Sequence, residues 1–96
     1  MDNSKLDRWR SMELAVVLAS ICEHAKRDPT YTPDKDPKTQ RWHVNASGQD
    51  FELLLTGQKY WDTRARVGGG GAIDLVMHLT AANFRAAVRK LRATFP

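Results

Sequence analysis

Apolar residues first fall into a regular pattern between Ser11 and Ala25, where Leu14, Val17, Leu18, Ile21 and Ala25 recur at helical spacing. The pattern predicts a helix, with Ser11 able to cap it and Glu13 suited to its first turn. Residues 1–10 hold, besides Met1, only Leu6 and Trp9 as large apolar side chains within a polar run and read as a lead-in, with an early helical turn allowed by Ser4 and Asp7. Asp28-Pro29 is expected to end the helix, because proline disfavours helical geometry in the residue before it. Residues 29–40 carry three prolines and balanced charge, which predicts an exposed loop.

The period then changes to two. Trp42 and Val44 alternate with Arg41, His43 and Asn45, predicting a strand over Arg41–Ala46. After a turn at Ser47–Asp50, Phe51–Thr56 reads as a second strand. Its centre, Leu53-Leu54-Leu55, is apolar on both faces, so both faces should be covered. Gly57-Gln58 fits a two-residue hairpin turn. Lys59–Arg64 is then a third strand, with Lys59, Trp61 and Thr63 on one face and Tyr60, Asp62 and Arg64 on the other. Four glycines, Gly68–Gly71, lead into an apolar helix, Ala72–Leu79, and Asn83 can cap a last helix over Phe84–Thr94. The expected architecture is one α+β domain: a three-stranded antiparallel meander against about three helices. Phe51 and one tryptophan are expected to be buried.

Composition changes this picture little. The chain has 96 residues, 42% hydrophobic and 27% charged, which suits one small globular domain. No apolar run approaches the ~20 residues of a membrane span. The first ten residues lack a signal peptide's apolar core. A single cysteine, Cys22, excludes an internal disulfide, so a cytoplasmic setting is expected.

Charge changes it more. The net formal charge is +4, but residues 1–58 hold eight Lys/Arg against nine Asp/Glu, while residues 59–96 hold seven against two. The basic excess accompanies the glycine run and the last helix, which favours an anionic partner, nucleic acid being the commonest. A glycine run ahead of a helix leaves N–H groups open to an anion, and Arg64 and Arg66 stand just upstream. The same run can equally be a plain connector, with Asp74 satisfying the helix's first turn. The run is no P-loop, since no Gly-Lys-Ser/Thr follows. Clustered carboxylates and nucleophile patterns are both missing, so a non-catalytic domain is expected.

The segments GQKYWD and GGGGAIDLVMHL, followed by Phe84, Ala87, Val88 and Leu91, resemble the second half of the zinc-binding domain of bacterial DNA primases. The likeness runs from about Arg41 to Leu91. It is closer still to a zinc-less branch in primase-like, Toprim-associated proteins of plasmids and other mobile elements. The positions where zinc-binding members carry ligands hold Asn45, Ser47 and Asp62 here, so no metal and no other cofactor are expected.

The resemblance implies a domain that binds DNA, single-stranded DNA favoured, for a primase-like replication or conjugation protein. Single strands are held by exposed aromatics that stack on bases and by cations that follow the backbone. Lys59, Tyr60, Trp61, Arg64 and Arg66, the backbone of Gly69, Gly70 and Gly71, and Trp42 and His43 are the expected contacts. Possible partners besides DNA are a primase or helicase, or a further domain of the same chain; no membrane is expected. The alternative is a protein-interaction module that docks a helicase or Toprim domain through an apolar sheet face. A weaker third reading is a primase inhibitor. Exposed aromatics beside cations favour DNA, and a flat uncharged apolar patch favours a protein.

Overall fold

A computed structural model describes residues 3–96; Met1 and Asp2 of the expected lead-in lie outside the described residues. The chain runs through α1 (Asn3–Arg10), α2 (Leu14–Ile21), β1 (His24–Arg27), β2 (Gln40–Ala46), β3 (Gln49–Thr56), β4 (Lys59–Asp62), β5 (Val67–Gly70), α3 (Ala72–Thr80) and α4 (Phe84–Thr94). The five strands form one sheet in the order β1-β2-β3-β4-β5, every neighbouring pair antiparallel. The fold is thus α+β, but the expected three-stranded meander against about three helices is wrong: the described residues form five strands and four helices.

Both extra strands arise where tertiary pairing overrides local pattern. The expected helix over Ser11–Ala25 stops at Ile21, and Cys22 turns extended with φ −88° and ψ 146°. His24–Arg27 then pairs with β2, placing Ala25 opposite Val44. The four residues are mostly exposed and polar, as an edge strand tolerates. At the other edge, Val67–Gly70 pairs with β4, setting Trp61 opposite Gly68 and Tyr60 opposite Gly69. Glycine is a poor strand former, and in a strand it often marks close approach by another group. The third strand accordingly ends at Asp62, and Thr63–Arg66 is a turn, closed by the Arg66 N–H on the Asp62 carbonyl at 2.8 Å.

The helices cover one face of the sheet. Leu14, Val17 and Leu18 of α2 and Leu75, Val76 and Leu79 of α3 meet Val44, Leu53, Leu55 and Tyr60 in a single core. Trp9 of α1 is fully buried there, so the lead-in is structural. It is the buried tryptophan; Phe51 is only half-buried. α4 packs on α3 through Ala87, Val88 and Leu91, and the Asn83 side chain accepts from the Ala86 N–H at 2.9 Å, the expected cap.

The Gly57-Gln58 turn is fastened from both sides, and this fixes β4. The Gly57 carbonyl accepts from the Leu14 N–H at 3.1 Å, and the Gln58 carbonyl from the Gly71 N–H at 2.8 Å. The Gln58 side chain donates to the Ser11 carbonyl at 3.0 Å. No described helix is long and apolar enough to cross a membrane.

Candidate nucleic-acid interface

The alternation in β4 divides the expected contact residues between two faces. Tyr60 and Asp62 point into the core at 5% and 3% exposure, while Trp61 stands outside at 44%. Tyr60 therefore offers no stacking surface. Its hydroxyl bonds the Asp74 carboxylate, and burial, with Asp74 and Asp62 nearby, pushes its pKa up to about 12.

The glycine run does not form the expected anion cradle. Asp74 reaches back over it, accepting from the Gly70 N–H at 3.1 Å. A Cβ on Gly69 would collide with Asp74 Oδ2 and lie 2.8 Å from the Tyr60 hydroxyl. The chain's own carboxylate thus fills the place a phosphate would take, beside the α3 N-terminus whose dipole favours it. Gly71 enters the helix at φ +85°, the left-handed region that glycine adopts without steric cost.

On the outer face, register brings Arg41, Leu54, Trp61 and Gly68 into one row across β2 to β5. A Cβ on Gly68 would lie 2.8 Å from Trp61 Cε3, so the missing side chain gives the indole its seat. Beside this row the loop between β1 and β2 forms the wall of a groove of about 550 Å³. Tyr31, Pro33, Lys35, Leu54, Lys59 and Trp61 are among its lining, with Asp34 and Asp36 on the same wall. The loop is therefore part of the site, not a bare connector.

One carboxylate ties that loop to the sheet. Asp28 Oδ1 accepts from the Thr30 N–H at 2.9 Å and hydroxyl at 2.6 Å; Oδ2 accepts from Arg41 Nε at 2.9 Å and Nη2 at 2.6 Å, with His43 Nε2 at 3.3 Å. The Thr30 hydroxyl, Arg41 and the Thr30 N–H hold the carboxyl well below the usual range. The Arg41 guanidinium stacks under the Tyr31 ring, 5.1 Å from its centroid. Arg41 is thus committed to the loop, and His43 leans on the same carboxylate.

The remaining expected contacts scatter. Trp42 faces the helix side, half-buried, its Nε1 donating to Gln40 at 3.0 Å. Arg64 and Arg66 are exposed in the β4–β5 turn, at the opposite end of β4 from Lys59. That separation is about 10 Å along the strand. Arg64 Nη1 donates to the Asp50 carbonyl at 3.4 Å, and Arg66 holds a φ of +58°. The structure brings together Trp61 and Lys59, and adds Tyr31, Lys35 and Leu54, which the sequence reading missed. Two signals pointed to them: Tyr31 is the loop's only apolar residue besides its prolines, and Leu54 is apolar on the outer side of β3.

Behind β4, Asp62 locks the turn that carries the arginines. Its Oδ1 accepts from the N–H groups of Arg64 and Ala65, both at 3.0 Å, and its Oδ2 lies 2.7 Å from His78 Nε2 on α3. Burial pushes its pKa up, but those N–H groups and His78 outweigh burial and leave it below the ordinary value. The His78 ring sits between Phe51 and Tyr60, at 5.8 and 5.4 Å. Among the described residues no three His, Cys, Asp or Glu side chains gather into a metal-holding set. Cys22 is partly buried, and burial raises its thiol to about 11.

No family model matches the chain, and no solved structure matches it. A "65 kDa protein" of Zymomonas mobilis subsp. mobilis is 40% identical over 92 residues, 95% of this chain. The match spans only 14% of that protein's length.

Proposed function

We propose that this domain binds nucleic acid, with single-stranded DNA its preferred form, through the outer face of the sheet. The observation that carries the reading is the exposed Trp61 indole, seated on Gly68 with Lys59 and Lys35 along the same groove. A base stacks on the indole, and the two lysines meet neighbouring phosphates. Asp34 and Asp36 line the same groove and supply acceptors for base N–H donors, thymine N3–H included. The groove's volume lies within the range of pockets that enclose a nucleotide-sized ligand. By its resemblance to zinc-less primase domains, the domain serves a primase-like replication or conjugation protein and is non-catalytic by itself.

The protein-docking alternative is less well supported, because the exposed face combines an aromatic with cations and is not a flat uncharged patch.

Fluorescence anisotropy with a labelled oligo-dT tests the proposal. Two lysine contacts give a salt slope of about −1.4, so binding weakens roughly seven-fold between 50 and 200 mM salt. Lys59→Ala flattens the slope by about 0.7. Binding that is absent at low salt, or indifferent to salt and to Lys59, overturns the reading and leaves protein docking in its place.

A further inference from the structure

The last helix carries a second charged surface that the sheet groove does not use. Arg85, Arg89 and Arg92 are exposed on α4 at spacings of four and three residues, so they share one stripe. None of them makes an ion pair among the described residues. No acidic residue occurs anywhere after Asp74, so no carboxylate on α4 neutralises them. The stripe lines a hollow of about 370 Å³ with Phe84, which is 45% exposed. Phe84 also borders a second hollow containing Arg10 and Gly71. The cations therefore continue from α4 to the end of α1. Asp74 is the carboxylate facing that second hollow, and it is engaged by Gly70 and Tyr60.

We infer that this α4 stripe is a phosphate-backbone contact for double-stranded nucleic acid, separate from the sheet groove. It extends the nucleic-acid reading to a second surface and stands or falls independently of it. Charge complementarity selects the occupant. Arg85 to Arg92 spans about 10 Å of helix, enough for three guanidinium forks to grip consecutive phosphates of one strand. Guanidinium groups suit phosphate because their donors match its oxygens in pairs. A bilayer is the poorer fit: the helix's apolar side, Ala87, Val88 and Leu91, is committed to the core, leaving Phe84 as the large apolar group on this surface. Because α4 packs into the core on the inner side of the sheet and the groove lies on the outer side, one short oligonucleotide does not occupy both surfaces.

The test is anisotropy of a labelled 16-base-pair duplex, read beside a six-nucleotide single strand. Three contacts predict a duplex salt slope of about −2.7, or roughly forty-fold weakening from 50 to 200 mM salt. Arg85→Ala and Arg89→Ala should each flatten the slope by about 0.9. The double substitution Arg89→Gln/Arg92→Gln should lower duplex affinity at least ten-fold, leave the hexamer within two-fold, and leave the helical circular-dichroism signal unchanged because the side chains are exposed. Trp61→Ala should do the converse. A hexamer that ignores Trp61 while the duplex follows the arginines sinks the groove reading alone. Duplex binding that is absent, or indifferent to alanine at Arg85 and Arg89, overturns the α4 proposal. So does competition by phosphatidylserine vesicles or polyglutamate stronger than that of unlabelled duplex.

Discussion

His78 Nε2 lies 2.7 Å from Asp62 Oδ2, and through that contact α3 holds the end of β4 and the turn bearing Arg64 and Arg66. Asp62→Ala would remove the acceptor of two turn N–H groups and of His78. Leaving such partners unsatisfied costs about 1–3 kcal/mol, read as a lowered denaturation midpoint with an unchanged m-value. A protein as stable as wild type would show that water replaces the carboxylate without loss.

The same carboxylate sets an acid limit. Asp62 and Asp28 are both held below the ordinary carboxylate value in the folded chain. A lowered folded pKa gives stability that is fully present above the unfolded value, about 4, and is lost as pH falls through the folded value. Melting temperature should therefore hold from pH 7 down to about 5 and fall below about 4. Asp62→Asn should shrink that fall. An unchanged profile in the variant would exclude Asp62 as a contributor.

The glycine run should respond position by position. Gly69→Ala would drive Asp74 from the Gly70 N–H, and Gly71→Ala would place a Cβ at φ +85°. Each is expected to cost ~1–3 kcal/mol. Gly70 has ordinary φ and meets only the Gln58 carbonyl, at 3.4 Å from a built Cβ. Gly70→Ala should cost least of the three. Equal tolerance at all three would mean that the run is a slack connector.

Chelator should leave melting and native mass unchanged, because no three His, Cys, Asp or Glu side chains gather into a metal-holding set among the described residues, and Asp62 is already engaged by His78. A stoichiometric metal whose removal unfolds the chain would contradict this.

Periodicity was enough to find β2, β3, β4, α3 and α4, where alternation or helical spacing agrees with the packing, although the expected turn took Gln49 and Asp50 from β3 and the expected third strand ran two residues past Asp62. It failed where a partner decides the structure. His24–Arg27 continues a helical pattern and becomes a strand only because β2 offers an edge. Val67–Gly70 has almost no side chains to give a period, and it is a strand because Trp61, Tyr60 and Asp74 need the space glycine leaves. The two faces of β4 were correctly divided, but which face the helices cover was not readable, and this removes Tyr60 from the surface. The Asp62–His78 pair joins residues sixteen positions apart on different elements, beyond any local pattern. The groove was hidden for a similar reason, since its wall is a loop held by Asp28 and Arg41.

A base stacked on Trp61 would quench its indole, so tryptophan emission during an oligo-dT titration reads the proposed contact itself. Trp9 is buried and Trp42 half-buried facing the helices, so Trp61 should dominate any quench. Saturable quenching is expected in the wild-type protein. In Trp61→Phe the quench should vanish while anisotropy still reports binding. In Trp61→Ala affinity should fall by ~1–3 kcal/mol with the salt slope nearly unchanged. An oligonucleotide that binds with full affinity to Trp61→Ala, or quenches emission equally without Trp61, would contradict it.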